Sequence, residues 1–268
     1  YTNEASSHAA RMVRKSMTLV MNRLMTTQVV VVIILVELWM IELPKKKYNT
    51  LELFAGSRSF SKVAEQYGHE TYCTDIEDFA GMNQVCDIFY FDVDKMLAEY
   101  GIPDIVWASP PCTYFSVASI GHHWHKDHTP KTGKALYGMK IVEETNKLID
   151  IIKPKYYFIE NPRGKLRKLP IMDRHKYMKT VTYCSYGDSR MKPTDLWTNY
   201  DFTTRKMCFN GNRACHHEAA PRGSKTGTQG LENAYLRSVI PAELLLDIFE
   251  EIIEDERKRK TKDKIQGR

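Results

Sequence analysis

The 268-residue sequence has no apolar run long enough to cross a bilayer. Its strongest, VVVVIILV at residues 29–36, extends through Leu38, Trp39, Met40 and Ile41 but is broken by Glu37 and Glu42, short of the roughly 20 residues a spanning helix needs. No small-residue cleavage site follows, so the run reads as a strand or an oddly placed signal-like segment, and no membrane partner is expected. Nor are the cysteines dense and evenly spaced, as in a secreted scaffold. Cys73, Cys86, Cys112, Cys184, Cys208 and Cys215 are scattered, which points to a reducing cytoplasm and makes any thiol with a role a chemical one. A basic centre is missing too. The net charge of +6 sits at the ends: residues 257–268 carry +6, residues 1–48 carry +4, and residues 49–256 are net −4. Within that acidic middle, residues 153–192 hold a local +8, enough to make one face basic.

What is present is a chain long enough for one large core or two small ones, 43% hydrophobic and 27% charged. It starts at Tyr1, which reads as a trimmed chain or a fragment, and residues 1–48 read as an N-terminal extension with no assigned role. From Asn49 onward short apolar runs alternate with helical ones. Thr50–Phe54, Thr71–Thr74, Ile105–Ala108, Tyr156–Ile159 and Thr180–Tyr183 read as strands. Ser59–Gln66 reads as a short helix, and Ala135–Ile152 as a longer one with Leu136, Met139, Val142, Leu148 and Ile152 near one face. That alternation predicts an α/β fold with a mostly parallel, doubly wound sheet, whose ligands sit beyond the carboxyl ends of the strands.

Four strand ends carry unusual residues. The first runs into Phe54-Ala55-Gly56-Ser57-Arg58-Ser59, a lone glycine turn that taken singly is more often structural than functional. Asp75 follows about 20 residues later, where an acid commonly binds ribose hydroxyls in such folds, and then Asp87-Ile88. After the strand Ile105–Ala108 come Pro110-Pro111-Cys112-Thr113-Tyr114-Phe115-Ser116, the prolines stiffening the exit. The strand Tyr156–Ile159 ends in Glu160-Asn161-Pro162-Arg163. A thiol and a carboxyl at two ends of one sheet can converge on one substrate.

In this order, Leu53-Phe54-Ala55-Gly56, Asp75, Asp87-Ile88, the Pro-Pro-Cys…Phe-Ser segment and Glu160-Asn161 resemble the C5-cytosine DNA methyltransferase family, particularly its short phage-encoded members, over residues 49–253. The resemblance implies the S-adenosylmethionine-dependent methyltransferase sheet, with Rossmann-like winding, and S-adenosyl-L-methionine as cofactor held by Phe54, Ala55, Gly56, Ser57, Asp75, Ile76, Asp87, Ile88 and Pro110. It implies catalysis by Cys112, Glu160, Asn161 and Arg190, and substrate contacts from Pro111, Ser116, Arg163 and Lys192. Arg190, Lys192 and Thr194 stand where the family usually has Gln, Arg and Arg, on what reads as a strand face. Ser238-Val239-Ile240-Pro241, followed by a helix bearing Leu245, Ile248, Phe249 and Ile252, resembles the closing motif behind the cofactor, without the usual Gly-Asn.

The chemistry fits these residue types independently. Cytosine C5 is a weak nucleophile until a thiolate adds at C6, and cysteine has the required nucleophilicity. Glu160 can relieve charge at N3, its apolar lead-in Tyr156–Ile159 favouring burial. A duplex substrate must flip the base out. Residues 117–134, with His122, His123, His125 and His128, read as a mobile phosphate-facing loop rather than a metal site. The run Arg163-Gly164-Lys165-Leu166-Arg167-Lys168, sited at the catalytic edge, is expected to touch phosphates.

Residues 49–197 are thus expected to form the catalytic and cofactor-binding core, 198–236 a small target-recognition insert, 237–256 a helix completing the core, and 257–268 a basic tail. Within the insert Arg222, Lys225 and Gln229 are candidates for reading bases. No metal is assigned: Cys208, Cys215 and His216, with Cys184 or His217, have zinc-ligand types, but their spacing is not that of a standard finger, and packed thiols are the preferred reading. The expected activity is methylation of DNA cytosine at C5, in a bacterial or phage-infected host cytoplasm. The alternatives are cytosine in tRNA, a free cytosine nucleotide, or a catalytically silent nucleic-acid binder. The oligomeric state is not legible.

Overall fold

A computed structural model describes residues 47–219 and 234–266, all within one compact unit, Lys47–Arg268. Seven strands form one sheet: β1 (Asn49–Leu53), β2 (Glu70–Asp75), β3 (Gln84–Val85), β4 (Ile105–Ala108), β5 (Tyr156–Pro162), β6 (Tyr177–Thr182) and β7 (Pro193–Thr198). Their order is β3-β2-β1-β4-β5-β7-β6. Every described pairing is parallel except those of β7, which runs antiparallel to both β5 and β6. This is the mostly parallel, doubly wound Rossmann-like sheet expected from the sequence. Helices are α1 (Ser59–Gln66), α2 (Val93–Tyr100), α3 (Ile120–His123), α4 (Gly133–Ile152), α5 (Ala234–Ser238) and α6 (Ala242–Gln266).

Strand residues alternate between two apolar layers because successive side chains point to opposite faces. Leu51, Leu53, Val106, Ala108 and Ile159 pack with Met96 of α2 and Ile141, Val142, Leu148, Ile149 and Ile152 of α4. Ile105, Trp107, Tyr156, Phe158 and Leu196 pack with Phe60, Val63 and Ala64 of α1 and with Leu244, Leu245, Ile248, Phe249 and Ile252 of α6. Trp107 stacks on Phe60 at 5.5 Å and on Phe158 at 5.7 Å. Each such large side chain contributes roughly 1.5–3 kcal/mol by leaving water. Both faces are therefore clad, leaving the strand ends as the place for a ligand.

Local signals set the helix limits. The Thr132 hydroxyl accepts from Ala135 N–H at the start of α4. Asp92 does the same for Lys95 N–H in α2, which stops at Gly101 with φ 82°. Five elements were not legible in the sequence: β3 is two residues long, α2, α3 and α5 are short helices, and β7 carries buried Thr194, Asp195 and Thr198 among its apolar residues. Of Arg190, Lys192 and Thr194, expected on one strand face, Thr194 lies in β7, whereas Arg190 and Lys192 precede it after a turn through Gly187 at φ 85°. Two boundaries also move. Tyr48 is fully buried in the core, its ring edge-on to His69, and α6 continues to Gln266 through most of the expected basic tail.

Candidate active site

The strand order reverses between β1 and β4, so their connections leave in opposite directions and open a crevice at the carboxyl ends. Beyond β1 the chain turns through Phe54 (φ 59°), Gly56 (φ 38°) and Arg58 (φ 53°), a left-handed sequence that disfavours side chains and suits Gly56 best. It is held by Asp75 at the end of β2, whose Oδ2 accepts from Gly56 N–H at 2.9 Å, and by Ala55 N–H donating to the Thr74 carbonyl at 3.0 Å. Glu52, buried on the α1 side, accepts from Phe60 and Ser61 N–H at 3.2 and 2.8 Å. Burial pushes its carboxyl up to about 7 against those two hydrogen bonds.

Parallel pairing sets Ala108 of β4 beside Ile159 of β5, so Glu160, still paired with Leu196 of β7, stands beside the point where the chain leaves β4. After Pro110 and Pro111 the chain makes a 3-10 turn, Cys112–Tyr114. Asn161 Nδ2 donates to the Pro110 carbonyl at 2.9 Å and so ties β5 to the proline exit. A second tie follows: Lys165 N–H donates to the Phe115 carbonyl at 2.7 Å, an approach that leaves room only for Gly164, since a Cβ there would lie 2.3 Å from that oxygen.

Between these loops lies a cavity of about 620 Å³. Its wall includes Cys112, Glu160, Lys192, Arg163, Ser116 and Arg237, together with Phe54, Ala55, Ser57, Pro110 and Pro111. Glu160 Oε1 accepts from the Tyr183 hydroxyl at 2.9 Å and lies 3.7 Å from Lys192 Nζ. Burial, then the Glu160 charge, pushes the Tyr183 phenol well above its usual value, so it stays a proton donor. Burial also pushes the Cys112 thiol up; Lys192 and Arg237 pull it back and Glu160 pushes the same way as burial. Phe54 and Pro111 also line a smaller adjoining cavity of about 160 Å³, with Asp75, Ile76, Asp87, Ile88, Tyr114, Tyr137 and Ile141. Tyr137 OH donates to Asp87 Oδ2 at 3.0 Å, and Ile76 is 61% exposed at its rim.

No family model matches the chain. Over 169 residues it is 31% identical to a frog virus 3 protein named "Probable DNA (cytosine-5)-methyltransferase", an overlap of 62% of this chain and 76% of the viral one. The chain belongs to that protein's methyltransferase family. Among solved structures it overlaps the N-terminal domain of human METTL16 (TM-score 0.36, 12% identity, 67% of this chain and 73% of that one). It also overlaps a Pyrococcus horikoshii protein described as an RNA methyltransferase (TM-score 0.33, 12% identity, 57% and 74%).

In this methyltransferase the residues anticipated at the strand ends meet at two adjoining cavities, but several expected roles are altered by their surroundings. Asn161 does not line either cavity; it is a positioning residue for the proline exit, its Oδ1 buried without a partner. Arg190 is buried and committed elsewhere: its guanidinium donates to Asp188 and to the carbonyls of Leu236, Arg237 and Val239. It therefore holds the segment leading into α6 in place, and the cation beside Glu160 is Lys192. Ser116 lines the cavity with its hydroxyl against Ser119. Of the basic run, Arg163 reaches the cavity, but Arg167 makes a two-point ion pair with fully buried Asp195 at 2.6 and 2.9 Å, and Lys165 is buried against His128 and Trp124.

The histidine-rich loop is anchored rather than loose. Trp124 Nε1 donates to the Tyr114 carbonyl at 2.7 Å, Trp124 bridges to Pro130, and His123 Nδ1 is 2.8 Å from the Thr132 hydroxyl. Arg222, Lys225 and Gln229, and the apolar run 29–36, lie outside the described residues. Tyr183 and Arg237 were not anticipated at the site; Tyr183 stands at the end of an expected strand, the one signal available for it. Ser238 and Ile240 of the closing motif do line the larger cavity, and Ile240 N–H donates to Ser59 Oγ at 3.1 Å. No helix among the described residues is long and apolar enough to cross a membrane.

Proposed function

We propose that the chain is a DNA cytosine-C5 methyltransferase that uses S-adenosyl-L-methionine and attacks the cytosine ring through Cys112. The observation that carries this reading is that the Cys112 thiol and the Glu160 carboxyl line one cavity at adjacent strand ends, next to a smaller cavity with two acids on its wall. The name of the viral relative supports the choice of DNA and of C5.

The smaller cavity fits the adenosine half of the cofactor. Ile76, Ile88, Pro111 and Ile141 offer apolar walls for a flat base, and Asp75 and Asp87 offer carboxylate oxygens to hydroxyl and amino donors. Bound there, S-adenosylmethionine supplies an electrophilic methyl group on a sulfonium.

On the substrate side, Cys112 gives up its proton to solvent and the resulting thiolate adds to C6, moving the electron pair of the C5–C6 double bond toward C5 and N3. Glu160 meets N3 with a proton or hydrogen bond, and the Tyr183 hydroxyl fixes Oε1 so that the second oxygen faces the ring. C5 takes the methyl group, a base removes the C5 proton, and the electron pair of that C–H bond expels the Cys112 sulfur as the double bond reforms. Lys192 stabilises the thiolate before attack and the Glu160 carboxylate after proton loss. A cavity of about 620 Å³ lies within the ~300–1,000 Å³ of ordinary small-molecule sites, so it has room for a flipped base beside the reacting end of the cofactor.

Transfer of radiolabelled methyl from S-adenosylmethionine to duplex DNA, tRNA and dCMP, followed by bisulfite mapping of the DNA, tests the reading. Label on duplex cytosine supports it. Label confined to tRNA or dCMP replaces the substrate assignment, and DNA binding without transfer leaves the silent binder in its place.

A further inference from the structure

Away from the cavity, the fold gathers Cys184, Cys208, Cys215 and His217 so that one ligand atom from each lies within 4.8 Å of all the others. They come from separate stretches: Cys184 from the 3-10 turn Tyr183–Tyr186 after β6, the rest from the irregular segment following β7. We propose that these four residues bind one zinc ion, which fastens the base of the insert to the turn that presents Lys192.

The geometry suits that metal. A tetrahedral ion with Zn–S near 2.3 Å and Zn–N near 2.0–2.1 Å has ligand-to-ligand edges of about 3.5–3.8 Å. Cys208 Sγ and His217 Nδ1 are 3.7 Å apart, already at an edge length. Three sulfurs and an imidazole are a soft donor set of the closed, structural kind, and exclude calcium or magnesium, which take oxygen. Cys184 and His217 are buried, His217 at 7% exposure, and His217 Nε2 is buried with no hydrogen-bond partner. The three cysteines of the cluster are all unbridged, and three thiols cannot all pair off as disulfides.

The second argument comes from the segment itself. Residues 203–219 contain no helix or strand, and Met207 and Phe209 are 41% and 65% exposed, so the segment has no core of its own. Small units of this kind are held by staples. Hydrogen bonds already dock it on the turn: Cys208 N–H to Thr182 Oγ1, Ser185 Oγ to the Lys206 carbonyl, and Glu218 N–H to the Ser189 carbonyl. Asn212 Nδ2 donates to Cys208 Sγ at 3.3 Å, an outer hydrogen bond of the type that orients a thiolate ligand. His216, the histidine preferred from sequence, instead faces the Asp188 carbonyl at 3.0 Å. Binding releases the three thiol protons, leaving a centre of net charge −1.

The test uses the full chain purified without chelator. About one zinc per chain is expected by elemental analysis, falling to less than about a tenth in Cys215→Ser and in His217→Ala while His216→Ala keeps its metal. Cobalt(II) replacing zinc in the wild type should show a thiolate-to-metal charge-transfer band and intense tetrahedral d–d absorption, a readout that needs no variant to fold. Stripping the metal should speed proteolysis within 203–219 several-fold. Substoichiometric zinc with no such cobalt spectrum, or metal lost in His216→Ala and retained in His217→Ala, overturns the assignment. None of these readouts depends on methyl transfer.

Discussion

The strand-end wall around Cys112 and Glu160 and the turn that brings Tyr183 and Lys192 against Glu160 meet at one carboxylate, yet they are built by different means. The first rests on β-sheet register: parallel pairing of β4 and β5 puts Glu160 beside the end of β4, and the Asn161 hydrogen bond to the Pro110 carbonyl holds the exit that carries Cys112. The second has no register. It is assembled from side chains reaching back to backbone, such as Arg190 to three carbonyls and Tyr183 to Glu160. Groups placed by register are insensitive to distant changes, whereas groups placed by individual hydrogen bonds depend on each of them.

The largest effect expected is on the register-built wall. Cys112→Ser should lower methyl transfer on the order of 10⁴-fold or more, because the hydroxyl is not a competent nucleophile at neutral pH. A variant that transfers label at the wild-type rate removes the covalent mechanism. Glu160→Gln should cost about 10²–10⁴ in turnover with the fold intact by circular dichroism, as for loss of a general acid.

On the second wall the prediction concerns stability. Arg167→Ala leaves Asp195 charged, fully buried and half-partnered, and should destabilise by about 3–5 kcal/mol in denaturant unfolding. A loss below about 1 kcal/mol would mean β7 does not rely on that pair.

Two smaller effects sharpen the contrast. Since burial raises the Cys112 thiol above its ordinary value, the thiolate fraction grows about tenfold per pH unit below that value, so adduct formation should speed up from pH 7 to pH 8. A flat profile would place the thiolate in an ion pair already formed at pH 7. Tyr183→Phe should reduce turnover by about tenfold or less and leave cofactor affinity unchanged, since its hydroxyl touches Glu160 alone among the proposed catalytic groups. Cofactor binding measured by calorimetry separates the two.

How far the sequence reached follows the same division. The strand-end positions of Cys112, Glu160 and Asp75 were legible because strands can be read from apolar runs, continuous in β4 and at the start of β5, whereas Asp87, beyond the two-residue β3, was reached only through the resemblance. β7 was not, because Thr194 and Asp195 look like surface residues until the Thr194 hydroxyl is seen to donate to the Lys192 carbonyl and Arg167 and Thr180 to Asp195. The basic residues were over-read: a count of charge cannot tell Arg163, at the cavity, from Arg167, in a buried pair, or from Lys165, under the histidine loop. His216 and His217 were indistinguishable for the same reason, being adjacent in the chain and opposite in direction.

The order of elements, the sheet and the thiol and carboxyl at its edge were written in the sequence, because local apolar patterning fixes which stretches become strands and the right-handed crossover rule fixes where their ends go. Which cations stay available, which tyrosine restrains Glu160 and which histidine joins the three thiols were decided only by tertiary structure. Those choices turn on pairings between residues tens of positions apart, where direction and burial, not residue type, determine the partner.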